Sequence, residues 1–482
     1  MSKSYAAVVL AFASGLAQET KDPKPPIVHE LAPASAPEAS ATEALTFHAA
    51  PKPRAADAIG EDWPAFRGPR GDGRTCETRL ATEWPAEGPP LVWELVAGSG
   101  FASPVIAAGR LVFTYRQEKR IQVDCLDPET GRTFWRFSYP TEYRDRYIAN
   151  DGPRSTPVIA DDSVYVHGVQ GELVCLELAT GRVHWQRNTC QEFGIPLDFF
   201  GVVASPRVHG ELLIQNLGTP GPCVAAFERS TGKLVWGAGP AWGPSCSSPV
   251  LGVVGGKERL FVLAGGESRP PTGGLVVLEP ASGAVVHTYP FRSKIVESVT
   301  GSSPVVAGER VFVSASYGTG SACLEATADG FREAWTERHI GLQFSSAVVD
   351  AGVLYLIDGV ADRSGALVAL DPANGKELSR TELVWDETDA DGKSRSFTVG
   401  EGSLLHADGK FLCLGDNGHL LWIQGAPTGA KVLARARLFD ANESWTPPVV
   451  VNGLLYVRQT RAERDGDAPP RLLCYDLRAA AR

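Results

Sequence analysis

The sequence predicts an all-β fold, an eight-bladed β-propeller of four-stranded antiparallel blades whose ring is closed by an N-terminal strand. Three observations predict it. One strand-and-turn pattern recurs eight times after residue 90, the last copy lacks its final strand, and a spare strand of that kind precedes the first copy.

Each copy opens with a small residue, often Ser-Pro-Val. A Gly- or Asp-containing turn follows, then an apolar strand, then Leu-x-x-Leu-Asp/Glu. A Thr/Ser-Gly turn leads to a strand ending in Trp. The first copy runs from Ser103 to Trp135, the second from Thr156 to Trp185 and the third from Ser205 to Trp236. The fourth runs from Ser248 to His287, the fifth from Ser303 to Trp335 and the sixth from Ser346 to Leu378. The seventh, from Ser403 through FLCLGDNG, is the most degenerate; the eighth runs from Thr446 to LLCYDL and stops. Starts lie 43 to 57 residues apart, the span of a four-stranded blade. The missing strand is supplied by Leu91-Val92-Trp93-Glu94, and closure hides the sheet edges. Trp93 is therefore expected beside Leu473.

Within a copy, alternation of strands with Gly-rich turns carries no helical period. The acid of the Asp/Glu-x-x-Thr/Ser-Gly turn can accept local backbone N–H groups, and its Gly takes φ > 0. The following Trp is expected as a flat wedge between blades. Cys125, Cys175, Cys323, Cys413 and Cys474 are read as one repeat position, filled elsewhere by Ala226, Val277 and Ala369. That position wants a small apolar side chain, and adjacent sheets about 10 Å apart are beyond disulfide reach. These five are expected as buried free thiols.

Composition fits this reading. Hydrophobic residues at 43% and charged residues at 21% supply a core, and 51 glycines suit many tight turns. A net charge of −10 argues against nucleic acid or an anionic membrane as partner. Residues 1–18 read as a signal peptide: Lys3, then an apolar run from Ala6 to Leu16 too short to span a bilayer, with cleavage after Ala17 or Gln18. Residues 19–60 read as a disordered Pro/Ala-rich linker, 61–90 as a lead-in segment and 91–478 as the propeller. A periplasmic or otherwise extracytoplasmic monomer is expected, without membrane insertion.

The eight copies resemble the quinoprotein-type (PQQ-like) propeller repeat of bacteria. That repeat occurs in alcohol dehydrogenases dependent on pyrroloquinoline quinone (PQQ) and in non-enzymatic relatives of the BamB type. The lead-in Trp63-Pro-Ala-Phe-Arg-Gly-Pro69, the stretch Tyr143–Pro157 and Asp198-Phe-Phe-Gly201 resemble an exported group of such propellers. The resemblance implies the fold; one fold hosts many functions. The dehydrogenase reading would need PQQ with Ca²⁺, a carboxylate base and a vicinal Cys pair. The sequence has no adjacent cysteines, so no cofactor and no catalytic or metal residues are expected outside that alternative. No nucleophile elbow, P-loop, dinucleotide fingerprint or zinc motif occurs. Ser230 to Lys233 is the repeat turn of copy three, the acidic run Asp386 to Gly392 reads as a solvated loop, and Arg70-Gly-Asp72 as a turn.

Recognition is expected where the segments crossing from one blade to the next gather at the channel mouth, because variable loops on a rigid ring carry binding. The candidates there are Arg144, Asp145, Arg146, Arg154, Glu297, Glu401, Asn442, Glu443 and Trp445. Mutual pairing is the favoured role for Arg144, Asp145 and Arg146, and Phe199 and Phe200 are read as wedges under a loop. For Arg154 and Glu443 pairing and ligand contact stay open. The expected function is a non-catalytic scaffold binding an envelope protein or a small ligand. The alternatives are the dehydrogenase and a carbohydrate-binding propeller, which stacked exposed aromatics would favour.

Overall fold

The computed structural model describes residues 44–147, 150–197, 200–218, 222–360, 364–388, 392–440, 443–463 and 468–479. The signal peptide expected over 1–18, Asp198, Phe199 and Asn442 lie outside the described residues.

Eight antiparallel sheets form the ring. Blade 1 shows the order common to the first six: Val105–Ala107 innermost, then Arg110–Gln117, Arg120–Leu126 and Thr133–Pro140. Blades 2 to 7 span 158–188, 207–238, 250–290, 305–337, 348–382 and 403–437. Among the described residues the one helix is short, Thr189–Phe193. Blade 8 takes Val449–Val451, Leu454–Arg458 and Arg471–Asp476 from the end of the chain and Leu91–Val96 from the start. Trp93 lies opposite Cys474 and Glu94 opposite Leu473, so the expected closure is present.

Residues 45–47 depart from expectation. Placed in a disordered linker, they form a fifth, outermost strand on blade 8, with Phe47 opposite Trp93. The stretch is three residues long amid Pro and Ala, too short for an alternating pattern to register.

The repeat residues act as the sequence suggests. The Asp127 side chain accepts the N–H groups of Glu129 (3.0 Å) and Thr130 (2.9 Å), and Gly131 takes φ 70°. Each wedge packs on the turn of the next blade. Trp135 donates its indole N–H to Leu178 O at 2.9 Å, and its ring covers Gly181, where a Cβ would lie 2.6 Å from it. Trp93 does the same on blade 1 and Trp335 on blade 6, through Pro128 O and Pro372 O at 2.9 Å. All nine cysteines are free, and Cys125, Cys175, Cys323 and Cys474 each face a wedge Trp across the strand pair.

Cys413 does not share that position. It lies on the second strand of blade 7, between Leu404 and Leu421. The third strand, His419–Ala426, carries its bulge beside Trp422, where blade 1 has it beside Cys125. Trp422 faces Ala434 and donates to Ala81 O at 2.9 Å. Blade 7 thus exchanges the large and small partners across the strand pair. The wedge volume is kept while the sequence signature is lost.

The acidic run after Trp385 is also not a plain loop. Val384–Thr388 pairs with Ser394–Thr398 as a hairpin between blades 6 and 7. Glu387 accepts the Trp385 indole N–H (2.8 Å) and lies 3.2 Å from His419 Nε2.

Two features shape the channel. On its axis, from blade 1 to blade 6, the first hydroxyl of an inner strand accepts the backbone N–H of its counterpart one blade earlier. The series runs Thr156 to Ser103 N (3.1 Å), Ser205 to Thr156 N (2.9 Å), Ser248 to Ser205 N (2.9 Å), Ser303 to Ser248 N (3.2 Å) and Ser346 to Ser303 N (2.9 Å). The small polar residue that opens copies two to six is therefore a rivet between blades. At the end away from the mouth, the lead-in segment crosses beneath the ring. Trp63 pairs with Ile106 of blade 1, Pro64 O accepts Ile159 N of blade 2 and Pro69 O accepts Arg207 of blade 3. Buried Arg67 reaches Ala347 O of blade 6 at 2.7 Å, Gly73 pairs with His406 of blade 7, and Glu77 takes the N–H of Asn452 (2.6 Å) and Gly453 (2.9 Å) of blade 8. The segment plugs the channel.

Candidate functional site: the channel mouth

Above the plug the channel opens into a cavity of about 160 Å³. Its wall follows from the repeat. The residue two places before each rivet hydroxyl points at the axis, and in the first six copies these are Phe101, Arg154, Val203, Cys246, Gly301 and Phe344. In the eighth copy Trp445, one place before Thr446, enters the wall instead. Tyr147 and Phe200 come from the long crossings and Phe66 from the plug, so that Phe66 forms the floor.

Six of these residues are aromatic, and five of them are in ring contact with another. Trp445 stacks on Phe344 with ring centres 4.1 Å apart and on Phe101 at 5.6 Å. Tyr147 meets Phe200 at 6.1 Å. The Arg154 guanidinium lies 4.8 Å above Phe200 and 5.5 Å from Phe101, and is fixed by Asp145 at 2.7 Å and Asn150 O at 2.8 Å. Asp145 is buried and also accepts the N–H of Tyr147 (2.9 Å) and Asn150 (3.1 Å). One carboxylate thereby folds the crossing from blade 1 to blade 2 and sets Arg154 against the rings.

The charged candidates Arg144, Arg146, Glu297 and Glu443 sit on the rim, and each pairs with a neighbouring side chain of opposite charge. Arg144 contacts Asp151, Arg146 Nη1 donates to both carboxylate oxygens of Glu267 (2.9 and 2.8 Å), Glu297 meets Arg269 at 3.3 Å and Glu443 pairs with Arg461. Exposed pairs of this type fix loops and contribute little stability. Arg144, Asp145 and Arg146 do not pair with one another: their partners are Asp151, Arg154 and Glu267. The reading of Phe200 as a wedge under a loop is corrected: it lines the cavity.

Glu401 is the counterpart of Arg154 in copy seven. Burial, with the charge of Asp416 beside it, pushes its carboxyl up to about 7. Between its ordinary value and 7 the folded chain holds a proton that the unfolded chain has released, so stability falls as pH rises through that window. We expect the melting temperature to drop between pH 5 and pH 8 by more in the native chain than in Glu401→Gln. Equal drops would show that Glu401 titrates normally.

Sequence reasoning found Arg154 and Trp445 but missed Phe66, Phe101, Tyr147 and Phe344. The signal was available for Phe101 and Phe344, which occupy one fixed offset from the rivet residue.

The cavity does not fit a calcium-held quinone polycarboxylate. Its cation, Arg154, is already paired with Asp145, and Cys246 is flanked by Ser245 and Ser247 where a vicinal pair would be needed. Among the described residues no cluster of three or more His, Cys, Asp or Glu side chains could hold a metal ion.

The fold and its rivet and wedge residues define a propeller of the quinoprotein-repeat type. The family model described as outer membrane protein assembly factor BamB matches residues 119–214 and 222–480, and the chain belongs to that family. It is 23% identical over 400 residues to the outer membrane protein assembly factor BamB of Shewanella oneidensis, covering 77% of this chain and 86% of that one. It is 27% identical over 140 residues to the quinohemoprotein alcohol dehydrogenase ADH IIB of Pseudomonas putida, a match spanning 28% of this chain and only 19% of that enzyme. The quinohemoprotein alcohol dehydrogenase structure from Comamonas testosteroni superposes with a TM-score of 0.61 at 14% identity, covering 87% of this chain and 81% of that one, a likeness of fold.

Proposed function

We propose that this chain is an exported, non-catalytic scaffold that binds a protein partner of the cell envelope, or a small ligand, at the mouth of its ring. The observation that carries this reading is the contrast at the mouth. The rim charges are paired with one another, while the axis holds an aromatic-walled cavity closed below. Membership of the BamB-described family and the 23% identity to a BamB support an envelope partner. The dehydrogenase reading is disfavoured by the cavity's donor set. The carbohydrate reading gains the stacked rings, but a sugar's hydroxyls need several polar partners, and few line this wall.

Photo-crosslinking in cells tests the proposal. A crosslinking residue at Arg144 or Lys294 on the rim should give discrete adducts, and one at Val285 on the exposed outer strand of blade 4 should give none. Adducts from Val285 alone, or from no position, would refute mouth binding. Recovery of the chain in the cytosol with its N-terminus intact would refute export.

A further inference from the structure

We infer that the mouth cavity is a receptor for one uncharged aromatic ring, and that the lead-in segment completes it through Phe66. This rests on reading the mouth as the binding face and specifies the chemistry it takes. Four observations support it.

The first is size. A dry apolar cavity of about 150 Å³ takes up benzene, and this one measures about 160 Å³. The second is the lining, in which Phe66, Phe101, Tyr147, Phe200, Phe344 and Trp445 offer ring faces and edges. Aromatic groups prefer such offset and edge-to-face partners at centre distances of about 4.5–7 Å. The third is charge. An anionic ring would lose its hydration and find the guanidinium of Arg154 already held by Asp145, and a cationic ring would be set beside that same guanidinium. The fourth is closure. Phe66 belongs to the plug on the opposite face, yet it lines the cavity, so the pocket is blind and a ring enters from the mouth alone.

Two sources share this chemistry: a free aromatic compound, and a Phe, Tyr or Trp side chain presented by a partner. The test is ligand-observed NMR on the purified full chain. The probes are indole, benzyl alcohol, benzoate, methyl glucoside and N-acetyl-tryptophanamide. Indole and benzyl alcohol should bind saturably, and benzoate about tenfold more weakly than benzyl alcohol. Methyl glucoside should not bind. Trp445→Ala and Phe66→Ala should each weaken indole by about tenfold or more. Should either variant fail to fold, Val203→Phe, which fills the cavity and leaves the rivets intact, should abolish indole binding. The capped tryptophan binding at least as tightly as indole assigns the ring to a partner's side chain; its exclusion assigns it to a free compound. Methyl glucoside binding more tightly than indole, benzoate matching benzyl alcohol, or indole binding that survives Val203→Phe would overturn the inference. Rim crosslinks without ring binding would overturn it while leaving the scaffold reading standing.

Discussion

Replacing Trp93 by alanine should destabilise the chain by about 3–5 kcal/mol. Trp93 is wholly buried, its ring lies on Gly131 of blade 1 and near Tyr456 at 6.1 Å, and its indole N–H reaches Pro128 O. It also belongs to the strand that closes the ring, so the cavity left behind sits at the seam between the two ends of the propeller. Trp236 is the natural control. It holds the same repeat position on blade 3, but it is only half-buried and its indole N–H has no partner. Trp236→Ala should therefore cost distinctly less, because less area is re-exposed and no hydrogen bond is lost. Urea denaturation of the two variants checks this. Equal losses would mean that the seam is no more sensitive than any other blade junction.

The second large effect is expected at the mouth. Asp145→Ala removes the carboxylate that holds Arg154 and two backbone N–H groups, all in a buried setting. Removing one partner of a buried ion pair costs about 3–5 kcal/mol, since the surviving charge stays desolvated. Asp145→Asn keeps the shape and one acceptor oxygen and should lose less. The double replacement Asp145→Ala with Arg154→Met should recover part of the loss by removing the stranded guanidinium. Thermal and urea denaturation give the comparison, and a loss under about 1 kcal/mol for Asp145→Ala would show that water already reaches the pair.

The legible part of the molecule is the part that repeats. Thr156, Ser205, Ser248, Ser303 and Ser346 perform one task at five successive junctions, and the turn acids and wedge tryptophans recur in most blades, so shared physics left a shared pattern. The cavity wall was hidden for the opposite reason. At the offset that faces the axis, the copies carry Phe, Arg, Val, Cys, Gly, Phe, Glu and Ser in turn, so the position could be read only from its fixed spacing to the rivet residue and not from a shared residue type. Blade 7 shows a third case. Trp422 and Ala434 conserve volume across the strand pair while trading places, so Cys413 was aligned to a position it does not hold. The role of Phe66 depends on a segment passing beneath the ring, a long-range relation that no local pattern encodes.

The pairing of Leu91–Val96 with Arg471–Asp476 has a consequence in time. The two halves of that sheet lie nearly four hundred residues apart, so a growing polypeptide carries Leu91–Val96 without its blade 8 partner until Arg471–Asp476 has been made. Loop closure over such a span comes late and slowly. The ring can therefore close only once Arg471–Asp476 has been made, so the seven blades between the two strands can order before the seam locks.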